Sequence, residues 1–173
     1  MKKLLVVVDY QNDFVNGSLG FDGAAAIEEQ IVKKINEYRK TGGDIAFTVD
    51  THSNDYLNTA EGKALPIIHC LKYSSGWELY GKTAKLKQVE DRCFYKHSYG
   101  STELFEYLRL SDYSSVELVG VVTNICVLVN AVLAKTALPE AEIIVDSSGV
   151  AGDDDKLSRA AFEVMKGLQI KII

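Results

Sequence analysis

The chain has 173 residues, 47% of them apolar and 25% charged, which is enough for one domain with one core and excludes a disordered or fibrous protein. The formal net charge of −5, with no cluster of Lys and Arg to offset it locally, argues against nucleic acid or a membrane surface as partner. Cys70, Cys93 and Cys126 lie far apart without metal-knuckle spacing, so neither a disulfide framework nor a structural zinc site is expected, and a reducing cytoplasm fits.

Lys2 and Lys3 lead into the apolar run 4–8, read as a first strand that ends at Asp9; it is too short for a signal peptide, and no later run approaches a membrane span. Residues 25–40 read as a helix stopped by Gly42, and 44–49 as a second strand. Residues 50–91 are the least regular part, and a loop of that length in a compact domain is usually functional. Then follow a strand at 92–95, a helix at 102–110, a strand at 116–122, a helix at 125–138 and a strand at 142–145. A helix at 155–166 stopped by Gly167 and a strand at 169–173 complete the chain. Alternating strands and helices predict parallel pairing with right-handed crossovers. Strand runs that do not alternate predict a sheet covered on both faces. The expected fold is a three-layer α/β/α sandwich around a central, mainly parallel six-stranded sheet, in a single domain spanning 1–173.

Three of these strand ends carry reactive groups. Asp9 closes the first, Lys96 the third, and Cys126 begins the helix after the fourth, so all three belong at the carboxyl edge of the sheet, where open α/β sheets bind ligands. There a helix N-terminus is expected to lower the thiol pKa from about 8.5. Together they offer a nucleophile, an acid/base and a charge stabiliser. The plainer alternative is that Cys126 is a small buried apolar residue.

Asp50 and His52, one residue apart on an extended backbone, point to the same side, and Glu61 and His69 follow in the irregular segment. Two imidazoles with one or two carboxylates suit a divalent ion such as zinc, iron or manganese. Against this stands the reading that Asp50 caps a turn and the histidines make ordinary hydrogen bonds. His97, beside Lys96, is read as structural.

The segments Asp9-Tyr-Gln-Asn-Asp-Phe14, Gly17-Ser-Leu-Gly20, Val49-Asp-Thr-His52, Glu61-Gly-Lys, Leu65-Pro-Ile-Ile-His-Cys70, Tyr95-Lys-His-Ser-Tyr99 and Gly120-Val-Val-Thr-Asn-Ile-Cys-Val127 resemble, in order and over nearly the whole chain, the isochorismatase-like cysteine hydrolases, among them the nicotinamidases. The resemblance implies a catalytic triad of Asp9, Lys96 and Cys126. It also implies an oxyanion hole from the backbone N–H groups of Val122 and Cys126, with a cis Val121–Val122 bond, and a metal held by Asp50, His52, Glu61 and His69, zinc first and iron or manganese as alternatives. It places Phe14 and Tyr99 in the substrate pocket, with Leu65 in an aliphatic wall where nicotinamidases often carry an aromatic residue, and Trp77 reaching in from a loop.

The implied reaction is hydrolysis of a small primary amide through a cysteine thioester, nicotinamide to nicotinate and ammonia being the leading case, in a homo-oligomer by family habit. The alternatives are a related cysteine amidase acting on another small amide or carbamoyl compound and, in another class, a non-catalytic ligand-binding or thiol redox-sensing α/β protein.

Overall fold

Every residue of β1 (Lys3–Val8) after Lys3 is buried, because Leu4, Val6 and Val8 pack into one apolar layer and Leu5 and Val7 into the other. A strand covered on both faces has no solvated side, and this is why its run does not alternate. The computed structural model describes residues 2–173. After β1 come two short helices, α1 (Asn12–Val15) and α2 (Asp22–Ala26), and then α3 (Glu28–Thr41). Ile31, Ile35 and Tyr38 form the buried stripe of α3, at helical spacing, and Gly42 ends it at φ 74°, a left-handed conformation that costs a residue without Cβ little. The helix expected over 25–40 is thus interrupted at Ile27, and α2 lies before the break.

β2 (Asp44–Asp50) precedes the irregular segment, which holds a 3₁₀ turn at Tyr56–Asn58, α4 (Ala60–Ala64) and α5 (Gly81–Leu86). β3 (Arg92–Lys96), α6 (Thr102–Arg109) and β4 (Ser115–Val121) follow. The helix expected over 125–138 begins differently: a π-turn at Thr123–Val127 leads into α7 (Leu128–Ala137). β5 (Glu142–Ala151) runs past its expected end at 145, and the register against β4 jumps from Leu118↔Val145 to Gly120↔Val150. The polar residues Asp146, Ser147 and Ser148 in that bulge are what made the strand look finished. In α8 (Asp155–Gly167), Gly167 is the last helical residue, and the left-handed position falls on Gln169 at φ 62°, which shortens β6 to Lys171–Ile172.

Among the described residues all six strands are parallel, in the order β3-β2-β1-β4-β5-β6. Buried residues of α6, α7 and α8 cover one face, and those of α1, α2 and α3 the other. The chain winds outward from β1 through β2 to β3, then returns to place β4 on the other side of β1. That reversal opens a crevice at the carboxyl ends of β1 and β4, where a doubly wound sheet binds its ligand. Gly120 sits at this point with φ 119°, and a Cβ there would overlap the Val8 carbonyl oxygen. Only glycine lets β4 approach β1 so closely.

Candidate active site

Strand register sets the first groups. Val8 pairs with Thr48 and Asp50 with Lys96, so the ends of β1, β2 and β3 bring Asp9, Asp50 and Lys96 to a common level. Asp9 has left the strand, at φ 47°, a conformation that aspartate tolerates better than most side chains. Its carboxylate is fully buried, and Oδ1 accepts the Thr48 hydroxyl at 2.6 Å. Oδ2 lies 2.7 Å from Lys96 Nζ but off the direction of a good hydrogen bond, which leaves a lone pair free to take a proton. Lys96 Nζ also reaches Asp50 Oδ1 at 3.1 Å, the Ser98 carbonyl at 2.9 Å and Cys126 Sγ at 3.6 Å. Asp9, Lys96 and Cys126 therefore converge around one ammonium.

Burial dominates the protonation of this group. It pushes the Cys126 thiol well above its ordinary pKa, the neighbouring Asp9 adds to the rise, and Lys96 opposes it. The fall expected from a helix N-terminus is not what the structure gives, because a buried thiolate facing a carboxylate loses more than nearby N–H groups return. Burial also raises Asp9 against the pull of Lys96. Lys96 is held charged: burial would lower its pKa, but Asp9, Cys126 and Asp50 raise it well above the usual lysine value.

The Val121–Val122 peptide bond is cis. The following π-turn directs the Ile125 and Val127 N–H groups to the Val122 carbonyl, at 3.0 and 3.2 Å, and passes over the Cys126 N–H between them.

Asp50, His52 and His69 form a second cluster, with one ligand atom from each lying within 4.8 Å of the others. His52 Nε2 is 3.0 Å and His69 Nε2 3.5 Å from Asp50 Oδ2. Glu61 stands farther out, its Oε1 4.0 Å from both imidazoles. His69 Nδ1 faces the Ile67 carbonyl at 2.8 Å, so it carries the proton and leaves the Nε2 lone pair pointing into the cluster, the arrangement a metal ligand needs. Burial opposes ionisation of Asp50, yet the adjacent His52 and His69 imidazoles and the Lys96 charge hold its pKa far below the usual carboxylate range. One ionised carboxylate and two imidazole nitrogens, with Glu61 in reserve, fit a divalent ion such as zinc. His97 points elsewhere, with Nδ1 on the Thr51 carbonyl at 2.7 Å.

Cys126, Lys96, Asp50, His69 and Glu61 all line one cavity of about 400 Å³, together with Phe14, Leu65 and Tyr99. A larger cavity, of about 640 Å³, opens at the amino edge of the sheet around Arg39, Asp44 and Arg92 and contains none of these groups. Trp77 does not reach the active-site cavity. Its indole N–H donates to Thr51 Oγ1 at 2.9 Å and its ring stacks on Tyr95 with centroids 5.7 Å apart, so it packs the outside of the loop. The wall is instead completed by Leu19, Phe21 and Ile125, with Asp153 among the lining residues; sequence reading missed all four.

It also missed two supports. Thr48 is a polar residue inside the buried run Ile45–Val49, a signal visible in the sequence. Gln11 is fully buried and clasps Asp50: Nε2 donates to its carbonyl at 2.9 Å and Oε1 accepts its N–H at 2.7 Å.

Comparison with known proteins places the chain among relatives. A family model described as the isochorismatase domain matches residues 3–173. The isochorismatase family protein PncA of Bacillus subtilis is 34% identical over 143 residues, covering 76% of this chain and 78% of the relative. The crystal structure of a pyrazinamidase/nicotinamidase from Streptococcus mutans superposes with a TM-score of 0.88 at 30% identity, covering 99% of both chains. That of a pyrazinamidase of Pyrococcus horikoshii in complex with zinc superposes at 0.87 with 25% identity, covering 99% of this chain and 98% of the other.

Proposed function

This chain belongs to the isochorismatase family, and from that premise we propose that it is a cysteine amidohydrolase that converts nicotinamide to nicotinate and ammonia. One observation carries the reading: Cys126 and Lys96 line the same cavity as Asp50, His69 and Glu61, and Asp9 lies buried directly against Lys96. Relatives named nicotinamidase or pyrazinamidase support the choice of substrate.

The protonation states define the roles. Cys126 rests as a thiol, so the proton leaves Sγ for Asp9 Oδ2 as the sulfur adds to the amide carbonyl. Lys96 stabilises the ionised Asp9 beforehand and the anionic sulfur during transfer. The carbonyl oxygen becomes an oxyanion in reach of the Val122 and Cys126 N–H groups. Asp9 then protonates the departing nitrogen, the C–N bond breaks, and ammonia leaves a thioester on Cys126. Water, giving a proton to Asp9, adds to the thioester, and collapse returns the thiol and the free acid.

Asp50, His52 and His69 would hold a divalent metal, with Glu61 beside them; the ion would supply a Lewis-acidic point for a pyridine nitrogen and orient the carboxamide. Phe14, Tyr99 and Leu65 would then enclose the ring.

The test is ammonia release from nicotinamide by metal-replete protein, with Cys126→Ala as the blank. Cysteine-dependent release with kcat/KM near or above about 10⁴ M⁻¹ s⁻¹ is expected. Release that survives the substitution would remove the thioester mechanism, and no release at all would remove nicotinamide as the substrate.

A further inference from the structure

Asp9, Asp50 and Lys96 are aligned by strand register, but Cys126 and Tyr99 are not, since each lies beyond its strand on connecting chain. Asn130 of α7 joins them. It is fully buried, and its amide is completely used: Nδ2 donates to the Cys126 carbonyl at 2.8 Å and to the Tyr99 carbonyl at 3.2 Å, while Oδ1 accepts the Ser101 N–H at 3.0 Å. Ser101 in turn caps α6 by accepting the Leu104 N–H. Between Tyr99 and Ser101, Gly100 lies against α7 so closely that a Cβ would stand 2.7 Å from Val129 and from Leu133 side-chain carbons.

The bond to Cys126 spans an irregular stretch of backbone. In the π-turn, Val127 and Leu128 N–H groups reach back five residues, to Val122 and Thr123, whereas α7 bonds four back. The backbone ladder thus changes spacing beside Cys126. The Asn130 side chain supplies a donor where the nucleophile sits.

We propose that Asn130 is a positioning residue for the amidase reaction, holding the nucleophile turn and the Tyr99 wall in fixed relation. The inference rests on the function proposed above, and its test separates the two. Asn130→Thr keeps a hydroxyl suited to the carbonyl four residues back, that of Cys126, but cannot span to Tyr99 or Ser101. Asn130→Asp keeps an acceptor for Ser101 and removes both donors.

In the Thr variant KM for nicotinamide is expected to rise about tenfold with kcat within about twofold of the parent. In the Asp variant kcat is expected to fall about a hundredfold, and alkylation of Cys126 by iodoacetamide at a fixed alkaline pH to slow with it. Circular dichroism and melting show whether each variant is folded. Folded variants that leave kcat, KM and alkylation within about twofold of the parent overturn the proposal. Should the Asp variant not fold, an unchanged KM in the Thr variant overturns it. Alkylation needs no amide turnover, so a parent inactive on nicotinamide still leaves that comparison to decide for or against Asn130.

Discussion

Thr48 shows how much of the chemistry depends on a residue that touches no substrate. Its hydroxyl occupies Asp9 Oδ1 at 2.6 Å, so that Oδ2 is the oxygen left for Lys96 and for the Cys126 proton. Thr48→Val keeps the shape and strands Oδ1 in a dry site, at a cost of about 1–3 kcal/mol to the fold. A carboxylate freed to rotate is also a misplaced base, so kcat is expected to fall about 10- to 100-fold with KM little changed, and Thr48→Ser should restore most of the rate. Steady-state kinetics of the two variants beside their melting curves check this; equal loss in both would mean that packing, not the hydroxyl, matters. That Asp9, Lys96 and Cys126 would meet was legible in the sequence because each lies at or beyond a strand's carboxyl end, and that Asp50, His52 and His69 would cluster because a carboxylate and two imidazoles recur around one irregular segment. The thiol pKa was not, because it depends on enclosure: from sequence Cys126 sits at a helix start, and only in three dimensions is it buried facing Asp9.

Two elements carry more than their sequence suggests. Gly120 on β4 places the switch point: its φ of 119° and the overlap that any Cβ would have with the Val8 carbonyl oxygen leave no room for alanine. Gly120→Ala must push β4 from β1 next to the site, and a loss of more than about 3 kcal/mol is expected in denaturant unfolding; a loss under about 1 kcal/mol would show that the strands can separate there without penalty. The β5 bulge is the second element. Asp146 accepts the Gln30 amide at 2.7 Å and lies 3.2 Å from Lys34 Nζ, which also contacts buried Glu117 at 2.6 Å. Burial alone would raise the Asp146 pKa, but bonds from Ser148 and Gln30 and the Lys34 charge hold it below the ordinary value. A depressed folded pKa means stability that is present above the unfolded value, about 3.9, and lost as pH falls through the lower, folded one. Asp146→Asn should therefore melt below the parent at neutral pH, and the gap should close in acid below that range. A gap independent of pH would assign the loss to shape and not to charge.

At the scale of the whole molecule, the strand order and the site explain each other. β1 has β2 on one side and β4 on the other, so Asp9 at its end faces groups from both halves of the winding: Asp50 and Lys96 from one, Cys126 from the other. Alternating periods in the sequence were enough to expect six parallel strands and this edge. The pocket wall was another matter: Leu19 and Phe21, which form it, and Trp77, which does not, all lie on connecting chain without periodicity. Isolated bridges such as Gln11↔Leu79 and His52↔Leu71, invisible in one dimension, decide how that chain folds back. The same topology makes the cluster of Asp50, His52 and His69 a clasp between β2 and the irregular segment, since Asp50 closes β2, His52 lies just beyond it and His69 lies 19 positions after Asp50. A metal that binds only the folded clasp stabilises the fold by mass action, about 2.7 kcal/mol at 100 times its Kd. In a chain of this size that corresponds to a rise in Tm of about 5–10 °C. Zinc added to chelator-stripped protein should produce this rise, and His52→Ala should erase it while leaving the melting of the metal-free protein near that of the parent. An equal rise in the variant would place the ion elsewhere. No rise in the parent, with no zinc retained after dialysis, would reduce Asp50, His52 and His69 to a hydrogen-bonded cluster that holds Lys96 and Asp50 in place without a metal.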